Sequence, residues 1–514
     1  MQLKLERRAI HSFDHLYSAG AVKEESADII VPDSYPDILR IIDARGLVCL
    51  KEKRCTDSGV ELIGSVHVSV LYAPDSGGEG EYVPVRLGMV IPYQHLFEHR
   101  GLPPDTRIVA EISLTDASAR TINPRKVQVG ASVYLDVKCF GPARLEVCHN
   151  AAAEPAAGLE TLKKTVKVNL PVSVREKSFT LTDRIELPSG RPPVGEILHA
   201  GVRLVTRENR VIGSKAVFKG GAVLSVMYAA AGGDGHAIST WEQEIPFSQI
   251  VEMDQLDDGS TAEMTMLLLG MELGVEAPAR LIDVELHIEA QVRAVSGGRV
   301  EMLADAYSTS YHVVPEMREI TLLDIADSFS VKAQVRETRQ VQPPIHRIVD
   351  TEVRLSPVSG RFEDGHTKLC SHAAVRLLYL TDDNEYETAA FSLTVEAGIE
   401  NAGECAAAAS LAGEVFAGVS ADGVEIRFAV QFDGSFRERR KLMAVDDLKC
   451  DWETPIERET ASVVLRRVGG GEGLWDIAKS YGATRGDILA ANAMTADDAE
   501  IGEGTLLLIP RDRR

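Results

Sequence analysis

Apolar and polar residues alternate with a period of two in three widely spaced segments of the chain. The alternation covers residues 127–137, 282–292 and 424–432, where the apolar positions are mostly valine, isoleucine, leucine and phenylalanine. Successive side chains of a β-strand point to opposite faces of a sheet, so this period predicts strands with one buried face. The three segments are therefore expected to be half-buried strands.

Each of these segments follows another alternating stretch that ends in a tyrosine, at Tyr72, Tyr228 and Tyr379. The later segment begins 55, 54 and 45 residues after the respective tyrosine, and the tyrosines are 156 and 151 residues apart. A period of this length is too long for a solenoid unit and suits whole domains. The chain is therefore predicted to contain three copies of one module, the third shortened by about nine residues.

Between the two alternating stretches lies a third matching element. It reads PYQHLFE at 92–98, PFSQIVE at 246–252 and AFSLTVE at 390–396. Tracts rich in glycine, aspartate and asparagine precede it, and these residues favour hairpin turns. The sequence thus predicts a mainly β fold in which each copy is an antiparallel, β-sandwich-like module. The pattern does not specify the order of the strands.

The pattern changes to a helical period near the C-terminus. The apolar residues of 474–481 recur at i, i+3, i+4 and i+7, and Gly482 follows where a C-terminal cap belongs. Thr484, with Asp487 three residues later, provides the N-cap of a second helix. Residues 506–509 are apolar and form a closing strand. The order predicted for this part is β-α-α-β.

These patterns divide the chain into eight parts. They are an N-terminal segment at 1–24, three modules at 25–141, 176–297 and 328–445, connectors at 142–175 and 298–327, a linker at 446–461, and the small β-α-α-β domain at 462–511. A chain of 514 residues is too long for a single hydrophobic core, so several domains are expected on length alone.

Charge and cysteine usage restrict the partners and the compartment. The chain has 55 Lys and Arg against 77 Asp and Glu, a net charge of −22, which repels a nucleic-acid backbone. Its seven cysteines are scattered without a C-x-x-C pair, which favours a reducing compartment. Charges interrupt the N-terminal apolar residues, so no signal peptide is predicted, and no apolar run is long enough to cross a bilayer. The expected location is the cytoplasm, without nucleic acid as a partner.

One sequence pattern has catalytic potential. His95, Glu98 and His99 fit the H-x-x-E-H arrangement of inverted zinc peptidases, which needs both histidines on one helix face. The second copy has Gln249 and Met253 in place of the two histidines, so the module does not require metal ligands there. Phosphate-binding loops and nucleophile elbows are missing from the sequence. The sequence therefore predicts no catalytic residue, no metal ligand and no cofactor.

The three modules resemble the SPOCS domain of spore-coat-associated proteins from endospore-forming bacteria. The segments that carry the resemblance are Pro36-Asp37-Ile38, Ile245-Pro246-Phe247-Ser248 and Asn123-Pro124-Arg125-Lys126. Copy two departs from the pattern with Pro193-Val194-Gly195 and Pro278-Ala279-Arg280. The copies are therefore expected to share a fold without sharing every surface.

Residues 463–510 resemble a LysM domain, a β-α-α-β unit that in most of its members binds N-acetylglucosamine chains. The resemblance places the following residues in the ligand groove: Gly471, Glu472, Gly473, Leu474, Trp475, Asn492 and Ile501. The usual Gly-Asp-Thr/Ser-Leu before the first helix is Gly-Glu-Gly-Leu at 471–474. This change removes a hydroxyl that caps the helix and contacts sugar, so protein binding is favoured over glycan binding.

Three SPOCS-like copies followed by a LysM domain resemble the SipL-like family of spore-coat morphogenetic proteins. The resemblance implies a non-enzymatic scaffold in the mother-cell cytoplasm that anchors the basement layer of the coat at the forespore surface. Its implied partner is the coat morphogenetic ATPase, stage IV sporulation protein A, with other coat proteins as further partners. The alternative is a LysM protein of the cell envelope or spore cortex that binds peptidoglycan or chitin oligosaccharides.

Overall fold

The protein is built almost entirely of β-strands. The computed structural model describes residues 2–75, 84–231, 238–254, 256, 259–276, 278–363, 365–400, 404–420, 423–456, 463–495 and 501–510. Strands make up 78% of the structure and helices 4%, which confirms the predicted mainly β fold. Within these described residues, no helix has the length and the apolar character needed to cross a membrane.

Each of the first two repeats contributes six strands. In repeat one they are β1 (Lys4–Ile30), β2 (Ile38–Thr56), β3 (Gly59–Pro74), β4 (Val85–Glu98), β5 (Arg107–Asn123) and β6 (Lys126–Ala152). In repeat two they are β7 (Leu159–Glu186), β8 (Val194–Ile212), β9 (Lys215–Ala230), β10 (Ile238–Glu252), β11 (Thr261–Gly274) and β12 (Leu281–Ser308), with a single 3-10 turn at Pro155–Ala157 before β7.

Repeat three has the same plan with two of its strands divided. Its strands are β13 (Tyr311–Arg339), β14 (Ile345–Leu355), β15 (Ser359–Glu363), β16 (His366–Thr381), β17 (Tyr386–Ile399), β18 (Glu404–Leu411), β19 (Phe416–Ser420) and β20 (Gly423–Pro455). Strands β14 and β15 both pair with β16, while β18 and β19 both pair with β20.

All three repeats share one antiparallel topology, which the sequence had not specified. In repeat one, the first sheet has the order β1-β6-β5 and the second has the order β2-β3-β4. Repeat two has the orders β7-β12-β11 and β8-β9-β10, and repeat three has β13-β20-β18 and β14-β16-β17. The two sheets of each repeat enclose a hydrophobic core, and Leu267 of repeat two also packs into the core of repeat one. The prediction of three sandwich-like modules is confirmed at the level of the fold.

The alternating segments of the sequence are the central strands of these sheets. The apolar positions of 127–137, 282–292 and 424–432 are all buried, in β6, β12 and β20 respectively. Tyr72 and Tyr228 are also buried, and each hydroxyl donates to a proline carbonyl 36 residues earlier, at 2.9 and 3.0 Å. These hydrogen bonds close the loop that opens each of the two repeats.

The matching element of repeat three is displaced relative to its sequence alignment. Tyr93 and Phe247 both pair with the residue eight positions before the tyrosine of their repeat, whereas Phe391 pairs with the residue four positions before Tyr379. A short hairpin between β16 and β17 causes the displacement, because it starts the outer strand earlier. Residues 390–396 thus match the other copies in residue type. Their position along the neighbouring strand is different.

The segments predicted as connectors consist mostly of strands. Residues 142–175 and 298–327 lie mostly in β6, β7, β12 and β13, and the predicted N-terminal segment 1–24 lies in β1. These strands run far beyond the sandwiches and pair as three antiparallel ribbons, β1 with β6, β7 with β12, and β13 with β20. The predicted linker 446–461 likewise begins inside β20. The predicted domain boundaries therefore fall within continuous strands.

The three ribbons pack on one another and share a hydrophobic core. Its buried residues come from all three repeats: Val147, Val166, Val168, Leu170, Val300, Met302, Ile320, Leu322 and Ala444. A two-stranded ribbon by itself cannot bury an apolar face. Contact among the three ribbons supplies that burial, which local sequence patterns do not reveal.

The repeats meet a second time where their smaller sheets converge. Ile42, Leu198 and Val349 occupy equivalent bulged positions in β2, β8 and β14, and all three lie in one hydrophobic cluster. The residues that follow them include Asp43 and His199, which are also buried. The three modules are thus joined at both the ribbons and this convergence point.

Candidate partner-binding site on the C-terminal unit

The C-terminal unit has the predicted β-α-α-β order. It consists of β21 (Val463–Arg467), α1 (Leu474–Tyr481), α2 (Arg485–Ala491) and β22 (Leu506–Pro510), and β21 pairs with β22 in antiparallel fashion. Leu474, Ile477 and Ala478 are buried on one face of α1, as their spacing predicted. The helix ends at Gly482, whose φ of 60° is in the left-handed region that favours glycine.

Both helices begin at caps that the sequence allows. Thr484 Oγ1 accepts a hydrogen bond from the backbone N–H of Asp487 at 3.0 Å, which confirms the predicted N-cap of α2. Gly473 precedes α1 and has no side chain to cap it. Instead its own N–H donates to Asp476 Oδ2 at 3.1 Å. The Asp476 carboxylate thus satisfies the N–H of the N-cap residue, while the Asp476 N–H donates to the Gly473 carbonyl at 3.1 Å.

Asn492 has a structural role in this unit. Its Nδ2 donates to the carbonyls of Ile488 and Leu508, both at 2.7 Å, and its Oδ1 accepts from the N–H of Leu508 at 2.8 Å. The side chain therefore fastens the end of α2 to the edge of β22. Most of its hydrogen-bonding capacity is used inside the fold.

The loop before α1 is held by Glu472. Its carboxylate accepts from the N–H of Gly469 at 3.0 Å and from the Arg466 guanidinium at 2.6 Å. The hydrogen bond from Gly469 and the charge of Arg466 lower the pKa of Glu472. Gly471 has a φ of 79° and is exposed, so this loop presents backbone rather than a large side chain.

Trp475 faces the repeats rather than solvent. Its Nε1 donates to Asp305 Oδ2 at 2.8 Å, and its ring meets Tyr307 edge-to-face at a centroid distance of 4.9 Å. The side chain of Arg485 covers the ring from 5.2 Å. Only 8% of Trp475 remains exposed. In this arrangement other residues of the chain cover most of the indole surface.

Two further contacts fix the unit on the ribbon formed by β7 and β12. Lys479 Nζ lies 2.7 Å from both carboxylate oxygens of Asp305, and Tyr307 OH donates to the carbonyl of Ala483 at 2.7 Å. Asp305 and Tyr307 were not among the predicted site residues. They lie about 170 residues before Trp475 and carry no motif, so only tertiary structure brings them together.

The seven predicted groove residues therefore have different environments. Leu474 and Trp475 are buried, Glu472 and Asn492 bind neighbouring backbone, and Ile501 packs partly against the core of the unit. Gly471 and Gly473 keep some exposure. The structure gathers the seven around one small unit, and their role in binding stays a prediction.

The outer face of β21 and β22 presents a large apolar surface that sequence reasoning missed. Its side chains are exposed to 55% for Val463, 62% for Leu465, 61% for Leu506 and 42% for Leu508. Leu465 lies opposite Leu508 across the two strands. All four residues at 506–509 are apolar, so the sequence does not show which of them are buried. In the structure Leu507 and Ile509 are buried and the other two are exposed. Contiguous exposed apolar residues of this kind mark interaction surfaces.

The H-x-x-E-H pattern does not form the helix that an inverted zinc peptidase needs. His95 and Glu98 lie in strand β4, and His99 follows directly. The His95 ring packs edge-to-face on Phe97, and the His99 ring stacks on Tyr17 at 4.3 Å. In the part of the chain that the structure describes, no group of three or more His, Cys, Asp or Glu side chains is arranged to hold a metal ion.

Comparison with known proteins bears on the middle of the chain. Residues 193–275 match the family model described as SipL, SPOCS domain. The matched segment contains β8 to β11, which hold the smaller sheet of repeat two and one strand of the larger sheet. No curated protein and no solved structure matches the chain. Residues 193–275 are therefore similar to a SPOCS domain of the SipL type, and repeats one and three share the topology of the repeat that contains this match.

Proposed function

We propose that the protein is a non-enzymatic scaffold of endospore coat assembly, in which the three repeats form a platform and the C-terminal unit is a LysM domain that binds a protein. The single observation that carries the proposal is the SPOCS match within a repeat whose topology recurs three times. SPOCS domains of the SipL type link the chain to sporulation. The proposed location is the mother-cell side of the forespore surface.

The proposed partner of the C-terminal unit is the coat morphogenetic ATPase, stage IV sporulation protein A. Support for a protein ligand comes from the apolar outer face of β21 and β22, because a sugar needs convergent polar groups as well as apolar contact. The polar side chains of the predicted groove, Glu472 and Asn492, are engaged within the unit. The unit therefore exposes more apolar surface for a protein partner than free polar groups for a sugar.

The proposed contact combines that outer face with the accessible part of the predicted groove, which is Gly471, Gly473 and Ile501. Docking of Trp475 on Asp305 places the unit on the ribbons in a fixed orientation. A fixed unit presents its partner surface without the entropy cost of ordering a flexible tether. Within this proposal the repeats hold the partner at a defined position on the coat.

A binding assay with the full chain and purified ATPase tests the proposal. Leu465→Asp places a charge in the centre of the outer face and is expected to reduce the affinity by about tenfold or more, the loss that accompanies removal of one apolar anchor. Leu281→Asp is the matched control, since Leu281 is also an exposed leucine on a strand, in repeat two. Ile501→Asp tests the predicted groove in the same assay.

Binding to glycan and localisation supply the contradicting outcomes. Retention of the chain on chitin or peptidoglycan, together with no binding to the ATPase, would favour the envelope alternative and reject the scaffold. A fluorescent fusion in sporulating cells is expected to form a shell around the forespore that disperses when residues 462–514 are removed. A fusion that stays diffuse, or that labels the vegetative wall, would contradict the proposed role in the coat.

A further inference from the structure

The outer strands of the three smaller sheets differ at one position. These strands are β4, β10 and β17, and among the described strands each pairs with a single neighbour. Pro92 and Pro246 lie opposite the residue seven positions before the tyrosine of their repeat. Thr394 occupies the same place in repeat three, opposite His372. Two repeats thus have proline at the middle of this edge, and the third does not.

Proline protects a free sheet edge from pairing with another strand. It has no N–H to donate, so it is tolerated in a strand where the nitrogen points away from the neighbouring strand. Pro92 and Pro246 therefore interrupt the row of donors on β4 and β10. In repeat two, Lys177 Nζ also donates to the carbonyl of Ile250 at 2.9 Å, which occupies an acceptor of the same edge. Natural proteins block edges with proline and lysine in this way.

The edge of β17 has no proline, unlike the edges of β4 and β10. Its pairing with β16 runs from Tyr386 to Ile399 without a register shift. The exposed side chains along it are small or polar: Ala390, Ser392, Thr394, Glu396 and Gly398. Glu396 is paired with Lys368 at 2.9 Å. Upstream, Thr388 donates to the carbonyl of Ile42 in repeat one, so the open part of the edge begins at Ala390.

A second copy of the chain is the occupant that this edge fits. The net charge of −22 opposes contact between two copies over most of the surface, and the stretch from Ala390 to Thr394 has no charged residue. Two such strands paired antiparallel about Thr394 would have small side chains opposite one another, with Ala390 facing Gly398 of the other copy. Ser392 would then face Glu396, which forms an ion pair with Lys368 of its own chain. The same surface on both copies is self-complementary, as a two-fold interface requires.

We infer that β17 is a self-association edge: two copies of the chain pair their β17 strands antiparallel and join their smaller sheets into one continuous sheet across a two-fold axis. One open edge among the three equivalent strands gives a closed dimer. Three open edges would instead give branched assembly. The inference does not depend on the C-terminal unit or on its partner.

Light scattering after size exclusion on the full chain tests the inference. The unaltered chain is expected to have near twice the 55.8 kDa mass of one chain. Thr394→Pro installs the residue that the other two repeats carry at this position and is expected to weaken the dimer by about tenfold or more. Thr394→Val keeps the N–H and the β-branched shape, so this control is expected to remain a dimer.

Folding of the proline variant is expected to be intact, because equivalent strands accept proline, and circular dichroism checks this. Thr394→Lys provides a second test that leaves the backbone donor in place but brings two like charges together at the two-fold axis. A chain that is monomeric at about 100 µM, or a dimer that persists in both the proline and the lysine variants, overturns the inference.

Discussion

His199 is a buried histidine at the convergence of the three repeats. It follows Leu198 in β8, and its charged neighbours are Arg45, Asp43, Glu352 and Arg354. Burial, reinforced by the Arg45 guanidinium, lowers the pKa of His199 from 6.5 to about 3. The ring is therefore neutral in the folded protein at neutral pH. In the unfolded chain it becomes protonated near its ordinary pKa.

Acid is expected to destabilise the protein through this residue. Between pH 6.5 and 3 the unfolded state binds up to one more proton than the folded state. The contribution of His199 to the free energy of unfolding is therefore fully present above pH 6.5 and is lost as the pH falls below it. The loss is about 1.4 kcal/mol per pH unit. Urea unfolding at pH 7.5, 6.5 and 5.0 should show that His199→Gln reduces this slope.

An exposed histidine supplies the control for the pH experiment. His366→Gln, at the start of β16, should leave the pH profile of unfolding as it is in the unaltered chain. Equal slopes for the unaltered chain and for His199→Gln would show that other groups cause the acid sensitivity.

The long strands are the elements that make this protein more than three separate modules. Strand β12 lines the sandwich of repeat two with its first half and pairs with β7 in the ribbon with its second half. Met302 in that second half is fully buried by the other ribbons. The same residue also lies three positions from Asp305, on which the C-terminal unit docks. One strand therefore connects three parts of the structure.

Slow hydrogen exchange is expected along the ribbons. Backbone amides in 142–152, 159–171 and 298–308 are paired in ladders whose apolar faces are buried, so they should exchange as slowly as amides of the sandwich cores. Mass spectrometry of the exchanged full chain measures this directly. The exposed loop at 99–106 serves as the fast-exchanging reference. Fast exchange throughout the three segments would contradict a stable hydrophobic core shared by the ribbons.

At the scale of the whole molecule, buried charges join repeat one to repeat three. The Arg45 guanidinium binds Asp43 at 2.7 Å and also binds Asp350 of repeat three. In a second ion pair repeat three supplies the cation, because Arg376 Nη1 lies 3.2 Å from Asp43 Oδ1. Such a network contributes little net stability when complete, because burying charges is costly. Removal of one member of the network, however, is expected to lower the free energy of unfolding strongly, because it leaves a buried charge without its partner.

Arg45→Ala should destabilise the full chain by about 3 kcal/mol or more, because it leaves the buried Asp43 carboxylate without its closest cation. Arg54→Ala is the matched control on the same strand, since the Arg54 side chain is 50% exposed, and it should shift the melting temperature little. Calorimetry of both variants makes the comparison. Similar melting temperatures for the two variants would argue against a structural role of the buried network.

The sequence predicts those elements in which burial follows a local period. The alternation at 127–137 and 282–292 predicted the central strands, and three tyrosines predicted the repeat, because one-sided burial in a sheet imposes a period of two. Thr484 and Gly482 predicted the ends of the helices, since caps depend on residues a few positions away. The H-x-x-E-H pattern lies at the end of strand β4, so its residues do not share a helix face.

The sequence by itself determined the mainly β fold, the threefold repetition and the β-α-α-β order of the C-terminal unit. Tertiary structure alone decided that the connectors are ribbons, that Phe391 is displaced in register, and that Trp475 docks on Asp305. The physical reason is the range of the interactions. Periodicity, capping and turns act between neighbours in sequence, whereas the shared ribbon core and the docking contacts join residues 100 or more positions apart, such as Tyr307 and Ala483.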